Sequence, residues 1–307
     1  MPYIDSGEVK LYLEEAGQGY PVIFAHEFGS DFRMWEAQVR HFSRAYRCIS
    51  YNARGYPPSH VPKNEALYGW EAAVEDIGAI MGGLGIEHAH LVGSSMGAYA
   101  ALQFGLRYPK KVSAIVAAAA GSGCSPSQRA AWLKQTPALA RSLINHGMDV
   151  MAERIALGPT RIQLKYKDPK TWQDFIDRFS QHSVRGMSTT MVRYQMMRPS
   201  LHDFREQFSR MPTPVLLVVG DEDKPCLETN LMLKSALPGA GLWICPNTGH
   251  TINLEEPAAF NAQVESFFTA VERGSWRRDY PLLKKADQDS SDACTAAESP
   301  ADLHTYG

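Results

Sequence analysis

The chain has 307 residues, 44% of them hydrophobic and 21% charged, with a formal net charge of -2. Such a chain can bury a sizeable core as one large α/β domain with an insertion or as two smaller domains, and its charge argues against a nucleic-acid-binding surface as its main business. No stretch approaches the roughly 20 apolar residues of a membrane span, MPYIDSGEVKLYLEEAG lacks the basic and apolar regions of a secretory signal, and the five scattered cysteines include no CxxC, so a cytoplasmic protein with reduced thiols is the simplest expectation.

PYID and VKLYLEEA flank the turn SGE and read as a hairpin. PVIFAH (21–26) and YRCISY (46–51) are short apolar runs of the buried parallel-strand kind. YGWEAAVEDIGAIMGGLGI has helical spacing and ends in glycines. AHLVG is the next strand, MGAYAALQFGLRYP a helix stopped by Pro109, and VSAIVAAAA a further strand. This alternation predicts an α/β fold with a mostly parallel sheet covered by helices on both faces. From Gly121 to Glu206 only helical patterns and loops follow: RAAWLKQTPALARSLINHG, DVMAERIAL, TWQDFIDRFSQHS and MSTTMVRYQMM. The alternation resumes with PVLLVVG, a helix near LETNLMLKSAL, the strand GLWICP and the helix PAAFNAQVESFFTAVERG. The expected organisation is a core of residues 1–120 and 207–275, a helical cap of 121–206 before the last two strands, and an extension, 276–307, whose polar, acidic sequence reads as a mobile tail.

Gly93-Ser94-Ser95-Met96-Gly97 lies between a strand and a helix. In that context G-x-S-x-G reads as a sharp bend that presents its central serine, Ser95, with glycines where the chain crowds itself. Ser94 then fills the bend. The following helix leaves N–H groups unpaired, so that of Met96 can stabilise an oxyanion. A serine hydroxyl needs a base. Asp221, Glu222 and Asp223 follow one late strand and His250 follows the next; loops at the carboxyl ends of parallel strands gather at one edge. Serine, acid and histidine thus occur in converging positions and in the order of an α/β-hydrolase.

The segments AHEFGSD, YNARGYPPS, GSSMG and GDEDKP…NTGH together resemble the α/β-hydrolase-fold superfamily, in its capped serine esterase, enol-lactonase and C–C hydrolase members, over roughly residues 1 to 275. The resemblance implies an eight-stranded-type sheet, Asp223 as the acid with Asp221 in reserve, and a second oxyanion N–H at Phe28. It implies cleavage of a small-molecule ester or enol-lactone through an acyl-enzyme, with Ser95 as nucleophile, His250 as base and no metal or organic cofactor. A C–C hydrolase of vinylogous diketones, a perhydrolase or acyl transferase, and a ligand receptor on a hydrolase scaffold are the alternatives. Epoxide and haloalkane hydrolases are disfavoured because they carry aspartate at the position of Ser95. The resemblance also admits a homodimer; neither nucleic acid nor membrane is an expected partner.

Two positions depart from the pattern. Glu27 stands where glycine is usual; a carboxylate would repel an oxyanion, so Glu27 is expected to turn away, toward Arg33 or Arg54. Asn52 replaces an aspartate and reads as a turn-stabilising residue. Elsewhere the structural reading is the expected one. His26 shapes its loop, Cys226 is a small packed residue, His88 and His90 form a surface pair, and MGGLG ends a helix and is no phosphate loop. Residues 121–206 hold thirteen Lys/Arg and seven Asp/Glu. This basic lid would favour a carboxylate-bearing substrate, although a solvated helix surface explains it more simply. Met187, Met191 and Tyr194 are the candidate pocket lining, with ordinary packing as the equal alternative.

Overall fold

Strands β1 (Tyr3–Ser6) and β2 (Val9–Ala16) form the expected hairpin in the computed structural model, which describes residues 2–276. They lead into β3 (Tyr20–Ala25), β4 (Tyr46–Tyr51), β5 (Ala89–Ser94), β6 (Val112–Ala118), β7 (Val215–Gly220) and β8 (Ala240–Cys245). The eight strands form one sheet in the order β1-β2-β4-β3-β5-β6-β7-β8. β2 pairs antiparallel with β1 and β4; every other pairing is parallel.

The continuous apolar strands are explained by burial on both faces. Alternation divides them: Val22 and Phe24 of β3 enter one core cluster, Ile23 and Ala25 the other. The first face is covered by α1 (Glu36–Phe42) and later by the C-terminal helix; the second is covered by α2 (Trp70–Gly83) and α3 (Met96–Arg107). His90 departs from the expected surface pair. It is buried on β5, where its ring stacks on Phe268 at 4.3 Å and Nε2 lies 3.2 Å from Glu272; His88 remains exposed.

Between β6 and β7 the described chain forms helices and no strand. The two cap segments expected first are one helical run, α4 (Pro126–Ala156), broken at Gly147 (φ 79°, ψ 173°). A short α5 (Ile162–Lys167) follows, then α6 (Pro169–Ser180), capped by the Asp168 side chain on the Thr171 N–H at 3.0 Å. α7 (Val184–Thr189) runs into a π-helical turn, Thr190–Met196. After α8 (Arg205–Ser209) and β7, α9 (Lys224–Ala236) begins directly behind Asp223, earlier than the sequence suggested. α10 (Ile252–Glu255) and α11 (Pro257–Glu272) end the described core. The expected tail lies outside the described residues except Trp276, whose indole N–H donates to the Gly239 carbonyl at 2.7 Å. Among the described residues no helix is long and apolar enough to cross a membrane, and Cys48, Cys124, Cys226 and Cys245 are free thiols.

Candidate active site

A single residue, Ser95, joins β5 to α3, at φ 49° and ψ -102°. This conformation is strained for any residue with a side chain, and it persists because its surroundings over-determine it. The Ser95 N–H donates to the Ala118 carbonyl on β6 at 2.8 Å, and its carbonyl accepts from Tyr99 N–H at 3.0 Å. A Cβ on Gly93 would overlap the Gly97 carbonyl, and one on Gly97 would overlap the Ala25 carbonyl of β3. Both glycines are therefore dictated by backbone approach. Ser94 is buried, whereas Ser95 lines a cavity of about 540 Å³ together with Glu27, Phe28, Asp223 and His250.

Asp223, fully buried, stands at the head of α9. Its Oδ2 lies 2.7 Å from Nδ1 of His250. The bond puts the proton on Nδ1 and leaves the Nε2 lone pair for another partner. Asp221 is used differently: its Oδ1 accepts from the Thr248 N–H at 3.1 Å and braces the histidine loop from outside. Glu255 completes the brace, a role not read from the sequence. It accepts from the Gly249 N–H at 2.8 Å and the Thr251 N–H at 3.2 Å, on either side of His250. Burial raises its carboxyl pKa above the usual range. The His250 N–H itself donates to the Thr160 carbonyl of the cap at 2.7 Å.

Of the two residues expected to offer N–H donors, Phe28 lines the cavity, while Met96 is buried at the start of α3, next to Ser95. His26 Nε2 accepts from the Ala53 N–H at 2.9 Å, so Nδ1 carries the ring proton and donates to the Glu27 carbonyl at 2.7 Å. That carbonyl belongs to the same peptide plane as the Phe28 N–H, which the bond therefore orients. Burial lowers the His26 pKa and keeps the ring neutral. The Phe28 carbonyl accepts from Tyr56 at 2.8 Å, and the Met96 carbonyl from Tyr194 at 2.7 Å. Asn52 ties the neighbouring turn, accepting from the Phe32 N–H at 2.8 Å and donating to the Pro57 carbonyl at 2.7 Å.

Glu27 turns neither to Arg33, which pairs with Asp31, nor to Arg54, which pairs with Asp76. Its partner is Arg161, in the cap loop before α5. The guanidinium donates to both carboxylate oxygens, to Oε1 at 3.0 Å and to Oε2, while Ser30 donates to Oε1 at 2.9 Å. The sequence could not show this because the partners are 134 positions apart. Burial, the largest single influence, raises the Glu27 pKa; the charge and hydrogen bonds of Arg161, joined by His250 and Ser30, together bring the carboxyl down to about 2. Other cap cations also meet acids of the core: Lys167 reaches Glu256 at 2.7 Å, Arg178 reaches Glu36 at 3.6 Å and Arg193 reaches Glu65 at 3.1 Å. These pairs fasten the basic cap to the core.

Of the candidate lining residues, Met191 borders the cavity. Met187 and Tyr194 are buried in the core behind it, and the Tyr194 hydroxyl is committed to Met96. The wall toward the cap is Trp132, Leu139, Ile155, Gln128, Gln135 and Gln195. Trp132, Gln135, Leu139, Ile155 and Met191 are shared with a second chamber of about 400 Å³ under α4. Asp223, Cys226 and His250 have potential metal-ligand atoms within 4.8 Å of one another. They fit a cation poorly: binding would displace the His250–Asp223 bond, and burial pushes the Cys226 thiol well above its usual range, holding it protonated.

A family model described as the alpha/beta hydrolase fold matches residues 20–257. Epoxide hydrolase 3 of Mus musculus is 26% identical over 286 residues, covering 87% of this chain and 76% of that protein. 3-Oxoadipate enol-lactonase 1 of Acinetobacter baylyi is 24% identical over 254 residues, covering 82% and 89%. Among solved structures, a thermophilic esterase from Thermogutta terrifontis superposes with a TM-score of 0.76 at 22% identity, covering 86% of this chain and 94% of that one. These relatives act on different bonds, but the architecture and the matched span agree: this chain belongs to the alpha/beta hydrolase fold family.

Proposed function

We propose that the protein is a serine hydrolase that cleaves a small carboxylic ester or an enol-lactone through an acyl-enzyme. In this reading Ser95 attacks the carbonyl as His250 Nε2 takes its proton, and Asp223 orients the ring and stabilises the imidazolium. The N–H groups of Phe28 and Met96 receive the oxyanion. Protonated His250 then gives its proton to the leaving alcohol, and water, activated by the same nitrogen, releases the acid. The observation that carries the reading is the strained Ser95 on a cavity shared with a histidine bonded to a buried aspartate. Serine at this position is also what argues against an epoxide-opening enzyme, despite the epoxide hydrolase among the relatives.

The test is hydrolysis of a p-nitrophenyl ester series by the protein and by Ser95→Ala. Turnover that the variant loses by about a thousandfold or more supports the reading. Equal rates in both, or no turnover of any ester or enol-lactone, overturns it.

A further inference from the structure

The cavity carries three carboxylate or guanidinium side chains, Glu27, Arg161 and Asp223. Asp223 is held by His250, and the other two hold each other. The geometry of that second pair is the informative feature. A guanidinium presents a planar fork that matches a carboxylate through two parallel hydrogen bonds. In this protein the fork of Arg161 is filled by Glu27, one guanidinium nitrogen to each oxygen. Glu27 is 0% exposed and the Arg161 side chain 12%. The guanidinium is also fixed over the Phe175 ring at 5.2 Å. Arg161 therefore stands on the cavity wall with one fork filled and its charge balanced from within the chain, while its Nε edge carries no side-chain acceptor among the described residues.

We infer that the Glu27–Arg161 pair determines specificity: Glu27 occupies the place of a substrate carboxylate, so the site selects esters whose acyl group is uncharged and rejects acyl groups bearing a terminal carboxylate. This rests on the serine-hydrolase reading and names its substrate class. An incoming carboxylate meets a guanidinium whose charge Glu27 already balances, and to take the filled fork it would have to leave Glu27 a buried charge without a partner. The remaining wall suits an uncharged chain: Trp132, Leu139, Ile155 and Met191 supply apolar surface, and Gln135 and Gln195 supply neutral polar groups. Of the other cap cations, Lys167, Arg178 and Arg193 are paired with acids of the core, and Arg154 lines the adjoining chamber, not this cavity.

The experiment compares p-nitrophenyl half-esters of succinate, glutarate and adipate with neutral straight-chain esters of equal carbon count. It does so in the wild type, in Glu27→Gln and in Arg161→Gln. The readout is the ratio of kcat/KM for neutral over anionic ester. The wild type is expected to favour the neutral ester by about tenfold or more, and Glu27→Gln, whose amide can accept one hydrogen bond from Arg161 but leaves its charge unbalanced, to lower that ratio by about tenfold. Arg161→Gln leaves the carboxylate unopposed and is expected to raise the ratio, which keeps the test open if Glu27→Gln does not fold. Thermal unfolding with free glutarate gives a readout without turnover: glutarate should raise the Tm of Glu27→Gln and leave that of the wild type unchanged. If no ester is hydrolysed, the serine-hydrolase reading fails and the glutarate shifts still decide the role of the pair. A wild type that prefers the half-esters overturns the inference. So do ratios and glutarate responses that are the same in all folded proteins, the result expected if the pair only fastens the cap.

Discussion

Tyr194 in the cap donates its hydroxyl proton to the Met96 carbonyl at 2.7 Å, so the π-helical turn over the cavity is bonded to the first turn of the helix behind Ser95. Tyr56 makes the corresponding bond to Phe28 at 2.8 Å from the other side. Two tyrosines thus immobilise the two residues proposed to receive the oxyanion. Tyr194→Phe keeps the packing and removes this bond, while the Met96 carbonyl, at the start of α3, keeps its helical one. It is expected to lower the unfolding free energy by about 0.5–1.5 kcal/mol and to lower kcat more than it raises KM. Denaturant titration and steady-state kinetics on the best ester check both parts.

The two aspartates of the acid loop make opposite forecasts. Asp223→Asn changes the partner of His250 Nδ1 and is expected to lower kcat by about a thousandfold or more while the protein stays folded. Asp221→Asn touches only the Thr248 brace and is expected to stay within about threefold of wild type, a bound set by the ordinary worth of one partly exposed hydrogen bond. Reversed ranks would move the acid to Asp221.

His182 gives stability a pH dependence. It is 5% exposed, edge-on to Tyr56 at 5.3 Å and to one side of Phe179. Burial brings its pKa down to about 4 from 6.5. Between those values the unfolded chain takes up a proton that the folded chain refuses. The contribution is therefore intact above about pH 6.5 and is lost as pH falls toward about 4, at up to about 1.4 kcal/mol per pH unit. Thermal melts of the wild type and His182→Gln across this window check the sign: the variant's stability should vary less with pH. Some slope should remain, because the buried His26 shifts in the same direction.

Glycines divide by what surrounds them. Gly97→Ala drives a methyl group into the Ala25 carbonyl and is expected to cost about 3 kcal/mol or more, or to prevent soluble expression. Gly82, inside α2 with nothing within 4 Å of a built Cβ, is the contrast: Gly82→Ala is expected to stabilise the protein by about 0.5–1 kcal/mol. Melting temperatures of the two variants check the pair.

The strands were legible because burial on both faces makes them continuous apolar runs, and Ser95 because a bend between two glycines leaves a mark in five consecutive residues. The acid needed more than spacing: Asp221 and Asp223 look alike in sequence, and only the start of α9 directly behind Asp223 brings one of them to His250. Short α1 and α5 leave little mark in the sequence, because seven and six residues complete too little of a helical period. For Met187 and Tyr194 the packing alternative holds, and the sequence left it level with the pocket reading for a related reason. A run rich in methionine shows that one face of a helix is apolar, but which face meets the cavity is decided by the π-helical turn at Thr190–Met196. The partner of Glu27 was hidden altogether, since an ion pair between distant segments leaves no local pattern.

The Thr160 carbonyl accepts from the His250 N–H, and the very next residue, Arg161, holds Glu27. Two adjacent positions of one cap loop therefore anchor the histidine loop and the carboxylate near it together, so a substitution in this short stretch reaches both at once.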